Sequence, residues 1–393
     1  MTARRARLLF VQPSFQPPGG GNGVAAWMLQ TLVADYDITV LTWEPLVVDD
    51  VNRFYGTSLD RRDLRVATIA PTIRHLFAAM PTSMALLRAA VLTAHAREWA
   101  RAFDATVSAN NEGEYGRPHV QYVHYPMYLR PRPRSDLRWY HRSTRLLNAY
   151  YALADRLLDA SFDRLAECHT FVNSDWTGRR YLALYGRGHL ETLHPPIRTS
   201  FPAVPWEARE NGFVCIGRID PQKRIETMIE IVGGVRRRLP DAHLHVVGTR
   251  AQRSYFRRVM DFARRFPWVH VHERVPHDEV VRLIAQHRFG LHAMVDEHFG
   301  MAPAEMICGG CLVWVHDSGG QVEIVERDPR FVFRGPTDAV EKICALLDDA
   351  DALRDARATL ARAVDRLALE RFQARVRAVV AETVAAAVGA RAS

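Results

Sequence analysis

Lysine is nearly absent from this chain: of 52 basic residues only two are Lys, at positions 223 and 342. Cysteine is scarce too, five in 393 residues. An odd, small number of thiols argues against a disulfide framework and for a reducing compartment, so a cytoplasmic location is expected. No uncharged apolar run reaches the about 18 residues of a membrane span. The most apolar stretch, 76–94, is broken by Pro81 and Arg88. The apolar segment after the Arg-rich N-terminus is too short for a signal peptide and reads as a first strand. No internal repeat of roughly 20–50 residues is present, which excludes solenoids and propellers.

What is present is ordinary globular material, 48% hydrophobic and 24% charged, which excludes a disordered or collagenous chain. A chain of 393 residues is too long for one usual domain and suits two of about 150–200 each. The net charge of +8 is concentrated in residues 1–200, which carry +6. A basic front half suits an anionic partner (a phosphorylated substrate, an acidic membrane surface or nucleic acid) or is simply a solvated basic surface.

Short β-branched runs alternate with helical patterns. Strands are expected at 7–11, 37–42, 65–69, 105–108, 120–124 and 170–172, and again at 213–216, 243–247, 269–272, 289–292 and 312–316. This alternation predicts an α/β protein with parallel sheets covered on both faces. Eleven strands are too many for one sheet, so two sheets are expected. Residues 193–206 contain four prolines and read as a stiff linker. Segment 126–139 reads as a basic, Pro-broken loop, and the chain after Asp338 as Ala- and Arg-rich helix.

Three segments carry chemistry. After the first strand comes Gly19-Gly20-Gly21-Asn22-Gly23, followed by a helix expected over 24–32. Glycines at a helix start bring backbone N–H groups close to an anion, where the helix dipole adds to their pull. Gly21–Ala26 also matches G-x-G-x-x-A, with Glu44 about 20 residues on, the dinucleotide pattern. A dinucleotide fold turns into its glycines almost directly from the strand; here a Pro-containing insert separates them, which disfavours NAD or FAD.

The second segment, Gly217–Arg224, follows the first strand of the back half and sets Arg218 and Lys223 around a Pro-containing turn. A forked guanidinium and a point-charge ammonium at a strand's C-terminal edge suit a diphosphate; a solvated basic turn is the plain alternative. The third segment is Glu297-His298-Phe299-Gly300-Met301-Ala302-Pro303-Ala304-Glu305. Pro303 suits the first turn of a helix, and Glu305 is expected in that turn with Glu297 in the loop before it. Amides around Phe299, Gly300 and Met301 can meet phosphate or sugar oxygens, and carboxylates accept from pairs of sugar hydroxyls. A charge stabilising the helix start is the alternative for Glu305.

E-x7-E, followed by Cys308-Gly309-Gly310-Cys311 and Ser318-Gly319-Gly320-Gln321, resembles the retaining nucleotide-sugar glycosyltransferases of family 4. Gly217-Arg218-x-x-Pro221-x-Lys223 and the glycine-rich first turn match the same family in order, over roughly residues 8–330. The resemblance implies the GT-B fold: two Rossmann-like domains with parallel sheets facing across a cleft. It implies an acceptor-side domain over 1–195, completed by a C-terminal helix at 373–393, and a nucleotide-sugar domain over 196–372.

The implied roles follow the motifs. Glu305 would bind the nucleotide ribose, and Glu297 the donor-sugar hydroxyls. Arg218 and Lys223 would neutralise the leaving diphosphate, approached from the other domain by Gly20 and Gly21. Growing charge on the leaving group is what such cations stabilise. Val123-His124-Tyr125-Pro126, Asn173-Ser174-Asp175-Trp176-Thr177 and His194-Pro195-Pro196 resemble the branch that extends lipid-linked oligosaccharide from GDP-mannose. There His124 would contact the donor sugar; a satisfied core histidine is the alternative.

The implied partners are a nucleoside diphosphate sugar, with GDP-mannose favoured over a UDP-sugar, and a glycan, lipid-linked or small-molecule hydroxyl acceptor. No cofactor and no catalytic metal are implied. A GT-B sugar-nucleotide epimerase and a NAD-dependent oxidoreductase are the competing activities.

Other signals are read structurally. Cys308-x-x-Cys311 has no second ligand pair at close spacing. His243-x-His245 and His270-x-His272 put pairs on one strand face, but seventeen histidines make such pairs common, and no metal site is assigned. Basic aromatic residues 139–142 come without a nucleic-acid motif. The segment 80–103, with Arg88, Arg97 and Arg101 among apolar residues, reads as core helix or as a peripheral contact with an anionic bilayer.

Overall fold

Aliphatic and β-branched runs become strands wherever a helix on each side can bury both faces. In the computed structural model, which describes residues 5–16, 19–80, 84–116, 118–128, 143–158, 162–197 and 200–392, this happens twice. The chain divides into one unit formed by Met1–Pro195 with Glu370–Ser393 and another formed by Pro196–Leu369.

The first unit has strands β1 (Arg7–Val11), β2 (Asp37–Thr42), β3 (Leu64–Thr68), β4 (Ala105–Ser108), β5 (His119–Val123), β6 (His169–Val172) and β7 (His189–Thr192). They form one parallel sheet in the order β3-β2-β1-β4-β5-β6-β7. Its helices include α1 (Gly20–Leu32), α2 (Val48–Tyr55), α3 (Pro71–Ala78), α4 (Ala85–Ala100), α5 (Thr144–Leu158) and α6 (Asp175–Tyr185). Helix α1 begins earlier than expected: the glycine run is its first turn, with Gly19 as its cap. Helix α4 buries Leu86, Leu87, Ala90, Leu92 and Ala96, so the segment weighed for a membrane surface has an apolar side packed into the protein. The loop expected over 126–139 and the aromatic residues 139–142 lie almost wholly outside the described residues.

The second unit has β8 (Glu210–Ile216), β9 (His243–Gly248), β10 (Val269–Glu273), β11 (His287–His292), β12 (Leu312–His316) and β13 (Val332–Phe333). They are again all parallel, in the order β10-β9-β8-β11-β12-β13. Helices α7 (Ile225–Val235), α8 (Arg253–Arg265), α9 (His277–Gln286), α10 (Met301–Cys308), α11 (Gln321–Ile324), α12 (Pro336–Asp348) and α13 (Ala350–Val364) connect and cover it. Phe213, Phe289 and Trp314 pack ring to ring at its centre.

The last helix, α14 (Leu369–Ala392), is used by the first unit. It inserts Phe372, Val376, Val379 and Val380 among Leu8, Phe10 and Tyr122, and Arg375 grips Glu191 through two hydrogen bonds of 2.7 and 2.8 Å. Both sheets reverse strand order next to their first strand, between β1 and β4 and between β8 and β11. In open α/β sheets the crevice beyond the strand ends at such a reversal binds ligands.

Candidate functional site

In the second unit the loops leaving β8 and β11 adjoin at the reversal point. After β8, Asp220 accepts a hydrogen bond from the Gln222 amide at 2.9 Å and starts a 3-10 turn over Pro221–Lys223. The turn carries Lys223 inward, with Nζ 2.9 Å from Glu297 Oε2 and 3.3 Å from Met294 Sδ. Arg218 instead points outward, with Asp220 at 3.6 Å. Sequence spacing does not distinguish the two cations; the turn does.

Glu297 also accepts from His292 Nε2 at 3.2 Å. A carboxylate can only accept, so the imidazole proton sits on Nε2 and Nδ1 is left as a buried acceptor without a partner among the described residues. Burial by itself would raise the Glu297 carboxyl; the His292 hydrogen bond and the Lys223 charge outweigh it and hold the group well below the usual carboxylate range. Burial, and then the Lys223 charge, press His292 below its ordinary value, so it is neutral. The result is a pre-ionised carboxylate fixed by one cation and one neutral donor.

The Glu297 loop is clamped by the turn after β12. Gly320 N donates to Glu297 O at 2.7 Å, and Ser318 Oγ accepts from Asp296 N at 2.8 Å. Gln321 Nε2 donates to the carbonyls of Met294, His316 and Ser318 at 2.7, 3.1 and 3.0 Å. Gly319 has φ +77°, and a Cβ there would lie 2.2 Å from Glu297 O. No side chain fits that approach.

Beyond Glu297, Phe299 is buried, Gly300 caps α10 with φ 108°, and Met301 is its first residue. The first amides of α10 therefore open at the same strand edge. Glu305 lies fifth in α10, two residues deeper than the sequence pattern predicts and so past the first turn, because the helix starts at Met301 and Pro303 is third. Burial pushes its carboxyl up to about 7, and no hydrogen bond to it is found among the described residues. Cys308 and Cys311 are free thiols that burial pushes up to about 12.

The first unit builds a separate cluster. His124 follows β5 immediately rather than ending it. Its amide donates to Asn111 Oδ1 at 2.8 Å, and its ring Nε2 lies 3.2 Å from Ala109 O. Asn173 Nδ2 donates to His124 O at 2.9 Å, and Ser174 caps α6 by accepting from Thr177 N at 3.1 Å. The two short motifs around residues 123–126 and 173–177 thus interlock. Gly21, in the first turn of α1, faces the same imidazole: a Cβ there would stand 3.3 Å from His124 Nε2. Gly20 opens that helix.

Three residues of these clusters carry no expectation from sequence. Glu112 is buried, accepting from Met127 N and Tyr185 Oη, both at 2.6 Å. Burial raises its carboxyl against those hydrogen bonds. No motif flags it, and Glu114 two residues on makes its acidity unremarkable in the sequence. His292 could have been suspected from its place at a strand end five residues before Glu297. Asn111, at φ 63°, is a turn residue whose side chain acts as a local acceptor.

Residues 197–363 match the family described as glycosyl transferases group 1. Among curated proteins, the chain is 24% identical over 237 residues to the GDP-Man:Man(3)GlcNAc(2)-PP-Dol alpha-1,2-mannosyltransferase of Candida glabrata, covering 52% of this chain and 44% of that protein. The human protein of the same name is 25% identical over 166 residues, covering 38% and 34%. The matched stretch thus spans less than half the length of these relatives. Among solved structures, WaaG, a glycosyltransferase involved in lipopolysaccharide biosynthesis, superposes with a TM-score of 0.68 at 15% identity, covering 94% of this chain and 98% of that one. Anabaena Alr3699/HepE in complex with UDP gives a TM-score of 0.66 at 15% identity, covering 96% and 100%. These likenesses show the GT-B fold.

Proposed function

We infer that the second unit, whose residues 197–363 match the group 1 glycosyl transferases, binds a nucleoside diphosphate sugar, and that the chain transfers that sugar to a hydroxyl acceptor. The observation that carries the reading is the Lys223–Glu297–His292 constellation at the sheet reversal of that unit. A carboxylate held ionised and fixed from one side keeps lone pairs for sugar hydroxyls. Lys223 and Arg218 supply positive charge for a leaving diphosphate, and Glu305, unpaired among the described residues and with its carboxyl raised, is suited to ribose hydroxyls. Phe299, Gly300 and Met301 offer amides to phosphate. In the first unit, His124 is assigned a donor-sugar contact and Gly20 and Gly21 a phosphate contact.

GDP-mannose is the proposed donor, supported by the names of the relatives of known activity; a UDP-sugar is the competitor. The proposed acceptor is a glycan, lipid-linked or small-molecule hydroxyl. The proposed location is cytoplasmic, with peripheral contact at the membrane face where the acceptor is lipid-linked. Among the described residues no helix is long and apolar enough to cross a membrane.

Transfer is proposed to proceed with retention and without a metal. The bond from the anomeric carbon to the phosphate oxygen breaks, the acceptor oxygen bonds to that carbon on the same face, and the acceptor proton passes to the leaving phosphate.

Thermal unfolding with equal concentrations of GDP, UDP, ADP and NAD tests the reading first. A ligand at 100 times its dissociation constant adds about 2.7 kcal/mol. A shift with GDP supports the donor; a shift with UDP keeps the activity and replaces the donor; a shift with NAD alone overturns both. Incubation with GDP-mannose and no acceptor then separates transfer from epimerisation, since only an epimerase converts the donor sugar.

A further inference from the structure

At the opposite edge of the second sheet, β8, β9 and β11 all begin with side chains that coordinate metals: Glu210, His243 and His287. His245 follows on the same face of β9, and β10 adds His270 and His272, with His270 in register beside His245. The catalytic constellation proposed above follows the other ends of these strands, so this cluster is independent of it.

The rings are in contact. His245 lies 4.4 Å, centroid to centroid, from His287 and 5.1 Å from His243. One ligand atom from each of His243, His245 and His287 falls within 4.8 Å of the others. The backbone makes room for them: a Cβ at Gly212 would lie 2.2 Å from His287 and 2.5 Å from His243. Only glycine leaves this face open at the middle of the group.

The hydrogen bonds set the tautomers. His287 Nδ1 lies 2.6 Å from Leu283 O, and His243 Nδ1 lies 3.1 Å from Asp241 O. A carbonyl only accepts, so both Nδ1 atoms carry the proton and both Nε2 atoms present lone pairs. Those two Nε2 atoms converge, 3.9 and 3.6 Å from the same Glu210 Oε2. His245 Nδ1 is joined to His272 Nε2 at 2.8 Å; donation to His272 frees the His245 Nε2 in turn. Outer hydrogen bonds that fix an imidazole's tautomer and orientation are what metal-binding histidines have. Burial first, then the neighbouring imidazoles, pushes His245 down to about 2, and burial lowers His270, His272 and His287 as well. Of the carboxylates, Glu279 faces His272, and Glu210 faces His243 and His287.

We propose that His243, His245 and His287, with Glu210 as a fourth ligand, form a binding site for a divalent transition metal, zinc above all, that staples the starts of β8, β9 and β11. Three imidazoles with one carboxylate suit zinc, copper or nickel, and an imidazole-rich set does not suit magnesium, which takes oxygen ligands. Binding draws the ligand nitrogens, which lie within 4.8 Å of one another, toward the roughly 3.4 Å separation of a tetrahedral zinc–imidazole set. His272 is a positioning residue acting through His245.

The test uses the full chain with any affinity tag removed, stripped by chelator and titrated with Zn2+ at neutral pH by calorimetry and thermal unfolding. The expected result is one Zn2+ per chain, an upward melting shift with Zn2+ and none with Mg2+, and visible absorption bands of a nitrogen-ligated tetrahedral site when Co2+ is added instead. A cooperative melt serves as the fold control for variants. His245→Gln and His287→Gln should each abolish stoichiometric binding, while His272→Ala should weaken it about 10–100-fold. Failure of the unaltered chain to bind Zn2+ stoichiometrically overturns the proposal without any variant. Binding that survives the combined His245→Gln, His287→Gln change overturns it also, by placing the metal elsewhere. Neither outcome bears on nucleotide binding.

Discussion

Lys223 Nζ and Glu297 Oε2 stand 2.9 Å apart, although 74 residues separate them in sequence. One comes from the turn after β8 and the other from the loop after β11, and both side chains are mostly buried, with 16% and 17% exposed. At that burial, removing one partner leaves an uncompensated charge, which costs about 3 kcal/mol. Lys223→Met is therefore expected to lower the melting temperature of the second unit by roughly 6–12 °C and to weaken nucleoside diphosphate binding. Unchanged melting in differential scanning calorimetry would show that the pair adds no net stability.

The same pair sets an acid limit. The Glu297 carboxyl is depressed in the folded state, so its contribution is fully present above its unfolded value of 4.5 and is lost as pH falls below that. His292 and the histidines lowered at the other sheet edge act in the same direction: the unfolded chain takes up protons below about 6.5 that the fold refuses. Melting temperatures measured from pH 8 down to pH 4 should decline steadily below about 6.5. A flat profile across that window would contradict these shifts.

Glu305 behaves oppositely. Its carboxyl is raised to about 7 from 4.5, so the folded chain holds a proton that the unfolded chain has released. Its contribution is present below 4.5 and is lost as pH rises through 7. Glu305→Gln should raise the melting temperature at pH 8 relative to the unaltered chain, yet weaken nucleoside diphosphate binding if ribose hydroxyls need the carboxylate. A stabilised variant that binds GDP and UDP as before would remove Glu305 from the site.

Gly319 supports Glu297 through backbone alone. With φ +77° and a Cβ projected 2.2 Å from Glu297 O, Gly319→Ala must displace the loop, at a cost of about 1–3 kcal/mol for the backbone conformation alone. The expected outcome is a lower melting temperature together with a larger loss of transfer than of stability, compared with Gly335→Ala, where no atom stands within 4 Å.

Glu112 tests the first unit. Its Oε1 takes bonds from Met127 N and Tyr185 Oη, a task an amide oxygen performs equally well. Glu112→Gln keeps those bonds and should be the milder change, its cost coming from an amide NH2 placed where Oε2 is buried without a partner among the described residues. Glu112→Leu should cost about 1–3 kcal/mol by orphaning buried donors. Urea denaturation of the two variants decides it, and equal losses in both would point to a need for the acid itself.

Much of this was written in the order of residues. Aliphatic runs bounded by polar or glycine-rich turns determine β1, β2, β4 and β12 to the residue, and their alternation with helices determines two parallel sheets, because such runs are stable only when both faces are covered. Strands β7 and β13 escape such reading. His189–Thr192 is a short polar edge strand and Val332–Phe333 has only two residues, so neither carries an apolar signal. Motif order placed Lys223 and Glu297 in one expected site, and the two side chains are in contact. Only the tertiary structure decided that Lys223 turns inward while Arg218 faces solvent, that His292 completes the Glu297 carboxylate, and that His287 joins His243 and His245 at the far edge. Those relations join strands distant in sequence, and they depend on which strands are neighbours in the sheet, a property that no local pattern of residues contains.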